Sequence, residues 1–211
     1  MENSSDWIWE IDASGHYVYT SPKIKEILGY SRDEIIGKTP FDLMLEEEAN
    51  RVSEVFATIL KERRPFKGLE NINRHKDGRI VILETSGVPI LDEKGKLLGY
   101  RGVDRDITER KNIEASLKKV NEQFALLFEQ SPLAVIEWDL DFKVVAWNPA
   151  AERIFGYTKA EAMGRTAMEL ILPEEAKAHV ADIWAKLLSS SGGYRSSNKN
   201  VTKDRHIIDC E

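Results

Sequence analysis

Ile27-Leu28-Gly29-Tyr30 and, 127 residues later, Ile154-Phe155-Gly156-Tyr157 are two versions of one stretch, and they decide how this chain is read. Working outward at the same spacing, Pro22 falls on Pro149, Glu34 on Glu161, Gly37-Lys38-Thr39 on Gly164-Arg165-Thr166, and Lys76-Asp77 on Lys203-Asp204. The shift lays Ser4–Glu84 over Ser131–Glu211 without a gap and gives 23 identities in 81 positions. These identities gather at turns and apolar anchors, which predicts two copies of one domain. One segment prefers a shift of 128. There Val52, Val55, Phe56, Ile59 and Leu60 mark one helical face, repeated by Val180, Ile183, Trp184, Leu187 and Leu188. The second copy therefore gains a residue near Pro173 and loses one before Tyr194.

Each copy reads locally in the same order. Trp7–Asp12 and His16–Thr20 are strands joined by Ala13-Ser14-Gly15. Pro22 opens a short helix over Lys23–Leu28, and Gly29 can stop it in the left-handed conformation. Ser31 and Glu34 have capping-box spacing for another short helix ending at Gly37, and a longer helix spans Glu46–Lys61. Three strands follow near Lys67–His75, Arg79–Ile90 and Lys96–Asp106. Asp77-Gly78 predicts a type I′ turn between the first two.

Composition sets the outer limits. The 211 residues carry 30 basic and 36 acidic side chains, a net charge of −6, which argues against a nucleic-acid binder. The single cysteine, Cys210, excludes an internal disulfide or a multi-cysteine zinc site. No apolar run approaches the length of a membrane span, and Met1-Glu2-Asn3-Ser4-Ser5 lacks the features of a signal peptide. The expectation is a soluble, cytoplasmic protein.

Two strands, several short helices and three strands in one copy form the order of a PAS domain. Tyr17-Val18-Tyr19-Thr20-Ser21-Pro22, Lys76-Asp77-Gly78-Arg79 and Gly102-Val103-Asp104-Arg105-Asp106-Ile107-Thr108-Glu109-Arg110-Lys111 resemble PAS and PAS-associated C-terminal (PAC) motifs. Trp147-Asn148-Pro149-Ala150-Ala151 carries the resemblance into the second copy. It implies an α+β fold: in each copy a five-stranded antiparallel sheet, order 2-1-5-4-3, with helices on one face. The implied division is a first PAS domain over 1–108, a helical connector over 109–130 and a second PAS domain over 131–211. The second copy departs in two ways. Asp204-Arg205 replaces the Asp-Gly turn, so a non-glycine must take positive φ or the turn must change type. The second copy also stops at the equivalent of Glu84, so it is expected to be C-terminally incomplete, its first hairpin and third strand sharing no ladder.

The connector is charged and free of Gly and Pro over Ile107–Gln130, and Asp106 with Glu109 has capping-box-like spacing at its start. Ile113, Leu117, Val120, Phe124 and Leu127 follow the spacing of a heptad seam. One reading is an amphipathic helix packed on its own domain; the other, which the resemblance favours, is a parallel signalling helix in a homodimer. Asp106, Ile107 and Thr108 stand where strand becomes helix and are the expected relay point.

Catalytic constellations are absent: no phosphate-cradling glycine loop, no His-Glu-x-x-His, no Gly-x-Ser-x-Gly. The chain is therefore read as non-enzymatic, with no catalytic residues and no metal site. The resemblance brings cofactors into view. Flavin photoreceptor members carry a reactive cysteine, but Pro40–Leu45 has none; haem members use a helix histidine, and His179 is a poor match. No cofactor is expected. An unidentified small molecule could bind between sheet and helices, where Trp9, Ile11, Tyr19, Leu28, Ile36, Phe56, Ile72 and Ile82, with Ile24 and Leu43, are predicted to point. The alternative for these residues is a close-packed core.

The function implied is a sensory and signal-relay input module, the front part of a two-component sensor histidine kinase whose output domain lies downstream. A ligand-free dimerisation scaffold is one alternative. The input module of a diguanylate cyclase, phosphodiesterase or transcription regulator is another.

Overall fold

The computed structural model describes residues 6–189 and 197–211. The Met1–Ser5 terminus, the loop before Tyr194 and the side chains of Leu187 and Leu188 lie outside the described residues. The chain separates into two compact units, Met1–Leu117 and Lys118–Glu211.

In the first unit, β1 (Trp7–Asp12) and β2 (Tyr17–Thr20) form a hairpin. Two short helices follow, α1 (Ile24–Ile27) and α2 (Arg32–Ile35), then a 3₁₀ turn over Pro40–Leu43 and the long α3 (Glu46–Glu62). The 3₁₀ turn, absent from the sequence reading, is started by a capping box of Thr39 and Asp42. β3 (Phe66–Arg74), β4 (Ile80–Leu91) and β5 (Leu97–Asp106) complete an antiparallel sheet in the order β2-β1-β5-β4-β3. The last strand thus takes the centre. Its inner face and that of β1 meet Ile24, Leu28, Ile35, Leu43, Phe56 and Ile59 in one core.

α4 (Thr108–Gln130) follows, and none of its residues is buried. In the second unit β6 (Ile136–Trp138) pairs with β7 (Val144–Trp147). Helices α5 (Pro149–Phe155), α6 (Lys159–Ala162), α7 (Ala167–Leu170) and α8 (Glu174–Ser189) precede β8 (Asn198–Val201) and β9 (Ile207–Cys210). β8 and β9 form a ladder separate from β6–β7.

The 127-residue repeat has a physical counterpart in both units. Lys76 pairs with Glu34 at 2.6 Å, and Lys203 pairs with Glu161 at 2.6 Å. Lys38 lies over the Tyr30 ring at 5.7 Å, and Arg165 over Tyr157 at 5.8 Å. The Lys76 amide donates to the Leu28 carbonyl and the Lys203 amide to that of Phe155. The repeated residues are those that lock the short helices onto the distal hairpin.

The turn between β3 and β4 differs from the type I′ expectation. The Gly78 amide donates to the His75 carbonyl, and only Gly78 has positive φ, at 95°. This is a type I turn closed by a left-handed residue, which needs one positive φ rather than two. At the equivalent place Arg205 takes φ 65°, so the second copy keeps the turn and accepts a non-glycine there.

Candidate functional site

β1 runs antiparallel to β5, and Trp9 stands opposite Gly102. A Cβ at 102 would collide with the Trp9 ring and the Ser86 carbonyl, so glycine leaves the space that the indole fills. The Trp9 Nε1–H donates to Asp104 Oδ1 at 2.9 Å. Thr85, the partner of Asp104 across the β4–β5 ladder, hydrogen-bonds the carboxyl as well. β3 extends the chain: Asn71 Nδ2 donates to Thr85 Oγ1 at 2.7 Å, and Asn73 Nδ2 donates to Asn71 Oδ1 at 2.6 Å. A line of polar side chains from four strands therefore crosses an apolar core. Asp104 is 4% exposed, and burial pushes its carboxyl up to about 7 against the pull of its two hydrogen bonds.

This line forms one wall of a cavity of about 40 Å³. That is space for on the order of three water molecules. Tyr17, Phe41, Met44, Val52, Phe56 and Phe66 form much of the rest. The Tyr17 hydroxyl has no hydrogen-bond partner among the described residues, and burial, with Asp104 and Asp42 nearby, raises it well above 10. No Lys, Arg or His lines the cavity among the described residues.

Of the residues predicted to point inward, Trp9, Ile11 and Phe56 line the cavity. Leu28, Ile24 and Leu43 are buried in the surrounding core. Four expectations are corrected. Tyr19, Ile36 and Ile72 are exposed at 39%, 39% and 38%, and Ile82 is half-buried outside the core cluster. Ile72 pairs with Ile82 on the outer face of the sheet, while Asn71, Asn73, Val81 and Leu83 face in. A one-residue slip in register inverts every side chain, and four successive apolar residues at 80–83 do not fix the parity. On β2, Tyr17 and Thr20 face inward instead of Tyr19, and Ile36 follows α2 where the chain turns outward. The polar wall is hidden from the sequence because polarity argues against burial. One signal could have found it: Asn-x-Asn occurs at 71–73 and again at 198–200, in register with the repeat.

The predicted relay residues form a compact junction. The Ile107 amide donates to the Ile82 carbonyl, and Thr108 Oγ1 accepts from the Ile82 amide at 2.9 Å. Asp106 Oδ1 accepts from the Thr108 amide at 2.9 Å, so it caps the helix two residues on rather than through Glu109. Lys111 pairs with Glu70 at 2.7 Å and Arg110 with Glu84 at 3.5 Å. The start of α4 is thus bolted to β3 and β4. Beyond it, Ile113, Leu117, Val120, Phe124 and Leu127 are 56–71% exposed.

In the second unit His179 is exposed beside buried Val180. No group of three metal-ligating side chains occurs among the described residues, and no helix there is long and apolar enough to cross a membrane.

A PAS-fold family profile matches residues 1–112, and a second PAS-fold profile matches residues 122–211. A nitrogen fixation regulatory protein of Klebsiella oxytoca is 25% identical over 150 residues, 71% of this chain and 30% of its own. A probable diguanylate cyclase, DgcE, of Escherichia coli is 29% identical, covering 59% of this chain and 11% of the relative. The hybrid signal transduction histidine kinase L of Dictyostelium discoideum is 30% identical, covering 55% and 7%. The chain thus spans less than a third of each of these relatives. Among solved structures, an RNA-binding light-oxygen-voltage receptor superposes with a TM-score of 0.51 at 20% identity, over 57% of this chain and 35% of its own. That likeness concerns the fold alone. Two profiles in tandem, on a sheet whose last strand is central, place the chain in the PAS-fold family, the sensory domains of signal-transduction proteins.

Proposed function

We propose that the chain is the sensory and relay portion of a two-component sensor histidine kinase. In this reading residues 1–108 sense, 109–130 connect and 131–211 receive. The cavity of the first copy takes a small molecule, and Asp106-Ile107-Thr108 converts a shift of the sheet into motion of α4. The observation that carries the reading is the junction itself: directly after the central strand, Ile107 and Thr108 both hydrogen-bond Ile82 of β4, while the apolar seam beyond is exposed. A seam without cover in one chain suits a second copy, in which Leu117 and Phe124 would each contribute about 1.5–3 kcal/mol by burial. Relatives with regulator, cyclase and kinase names match at similar identity, so the input role rests on more than the kinase output does.

The test is the double variant Leu117→Asp, Phe124→Asp, followed by light scattering and circular dichroism. A dimeric wild type and a monomeric variant with an unchanged first domain support the relay. A wild type that is monomeric at high concentration, or a variant whose first domain unfolds, shows that the helix packs on its own domain, and the mechanism fails.

A further inference from the structure

The cavity's wall has an unbalanced chemistry. Its one carboxyl, Asp104, sits in the core with no cationic side chain lining the cavity among the described residues. Both N–H groups of the Asn71 amide are already used, by the Leu69 carbonyl and by Thr85, and the Trp9 N–H is used by Asp104. What is left over is the Asp104 carboxyl and the Asn73 carbonyl oxygen as acceptors, one Asn73 N–H as a donor, and the Tyr17 hydroxyl, which can act as either; the only group there able to carry a charge near neutral pH is the Asp104 carboxyl. Around them stand the aromatic side chains of Trp9, Tyr17, Phe41, Phe56 and Phe66. Aromatic rings and a carboxylate attract the same partner, a small organic cation: the ring faces are negative, and a buried carboxylate is costly until a positive group pairs with it.

We infer that the cavity of the first copy binds a small organic ammonium ion, its N–H groups donating to Asp104 and Asn73 and its carbon atoms lying against the aromatic wall. The inference rests on the reading that this cavity is the ligand site. Space for about three waters limits the occupant to a few heavy atoms. Binding requires the ionised carboxyl. The titratable groups near Asp104 are Tyr17 from β2 and, beyond it, Asp42 from the 3₁₀ turn; both leave the site without positive charge. Affinity for an ammonium ion therefore rises with pH through the range where Asp104 loses its proton, about 7. Between pH 6 and pH 8 the gain is about tenfold.

The experiment titrates the full chain with ethylammonium, its neutral counterpart ethanol and the anion formate, each of three heavy atoms. The readouts are calorimetry and the indole N–H resonance of Trp9, assigned with Trp9→Phe. Saturable binding of ethylammonium, about tenfold tighter at pH 8 than at pH 6 and lost in Asp104→Asn, is the result expected. Asparagine keeps an acceptor for Trp9; should that variant lose its native circular dichroism, Tyr17→Phe replaces it, with binding weakened several-fold. If ethanol or formate binds as well as ethylammonium, without pH dependence, the cavity remains a ligand site but the cation assignment is overturned. If none of the three binds and the Trp9 resonance does not move, the cation assignment fails, and the small-molecule reading of the cavity loses its support with it.

Discussion

Gly102 shows how one absent side chain organises the inner face of the sheet. The Trp9 ring occupies the place where a Cβ would be, and from there its N–H reaches Asp104. Gly102→Ala should force the indole out or displace the Ser86 carbonyl, at a cost of about 1–3 kcal/mol for overpacking. Urea unfolding followed by tryptophan fluorescence checks this; an unchanged midpoint would show that the indole is free to move. This residue also marks the limit of what the sequence makes legible. Trp9 and Phe56 could be placed inside because they are apolar on clearly patterned elements. Asn71 and Asn73 could not, since burying an amide is unfavourable unless partners satisfy it, and the partners are one another, the Leu69 carbonyl and Thr85 of β4, which only the strand pairing brings to Asn71. The same ladder that pairs Ile72 with Ile82 on the outside turns the asparagines inward.

At the scale of elements, the two copies solve one packing problem with opposite residues. In the first, Trp7 on β1 donates its indole N–H to Thr20 at the end of β2. In the second, the equivalent positions hold Ala134 and Trp147, so the large side chain has moved to the other strand. Such exchanges conserve core volume, and they explain why element order and turns were readable across the repeat while individual core identities were not. The entrance to the second copy has a device of its own. Asn148, fully buried, accepts from the Val135 and Ala151 amides and donates to the carbonyls of Phe128, near the end of α4, and Leu133. It is at once the N-cap of α5 and the partner of a carbonyl that a helix end leaves open. Asn148→Ala should destabilise the second unit by about 2–4 kcal/mol, as a cap is lost and buried backbone groups are left unsatisfied. Hydrogen exchange reads this as faster exchange at residues 128–151 with β1–β5 unchanged. Equal exchange in both proteins would show that α5 forms without its cap.

At the scale of the whole chain, two units with separate cores should unfold as separate cooperative blocks, and pH distinguishes them. Asp104 belongs to the first unit. Its carboxyl is raised from 3.8 to about 7 on folding, so its contribution is complete below 3.8 and is lost as pH rises through 7. The full span corresponds to about 4 kcal/mol. Glu34 and Glu161, one in each unit, act in the opposite sense. Lys76 and Lys203, respectively, hold them down at about 2, so their contribution is present above 4.5 and is lost as pH falls towards 2. Both glutamates are exposed, and salt should weaken their effect. Calorimetry of the full chain should therefore show two transitions. Between pH 8 and pH 5 only the first unit's transition should rise, and Asp104→Asn should remove that rise. Below about pH 3.8 both should fall, the more so at low ionic strength. A single transition that climbs between pH 8 and pH 5 would mean that the copies form one cooperative block, with the charge state of Asp104 felt throughout it.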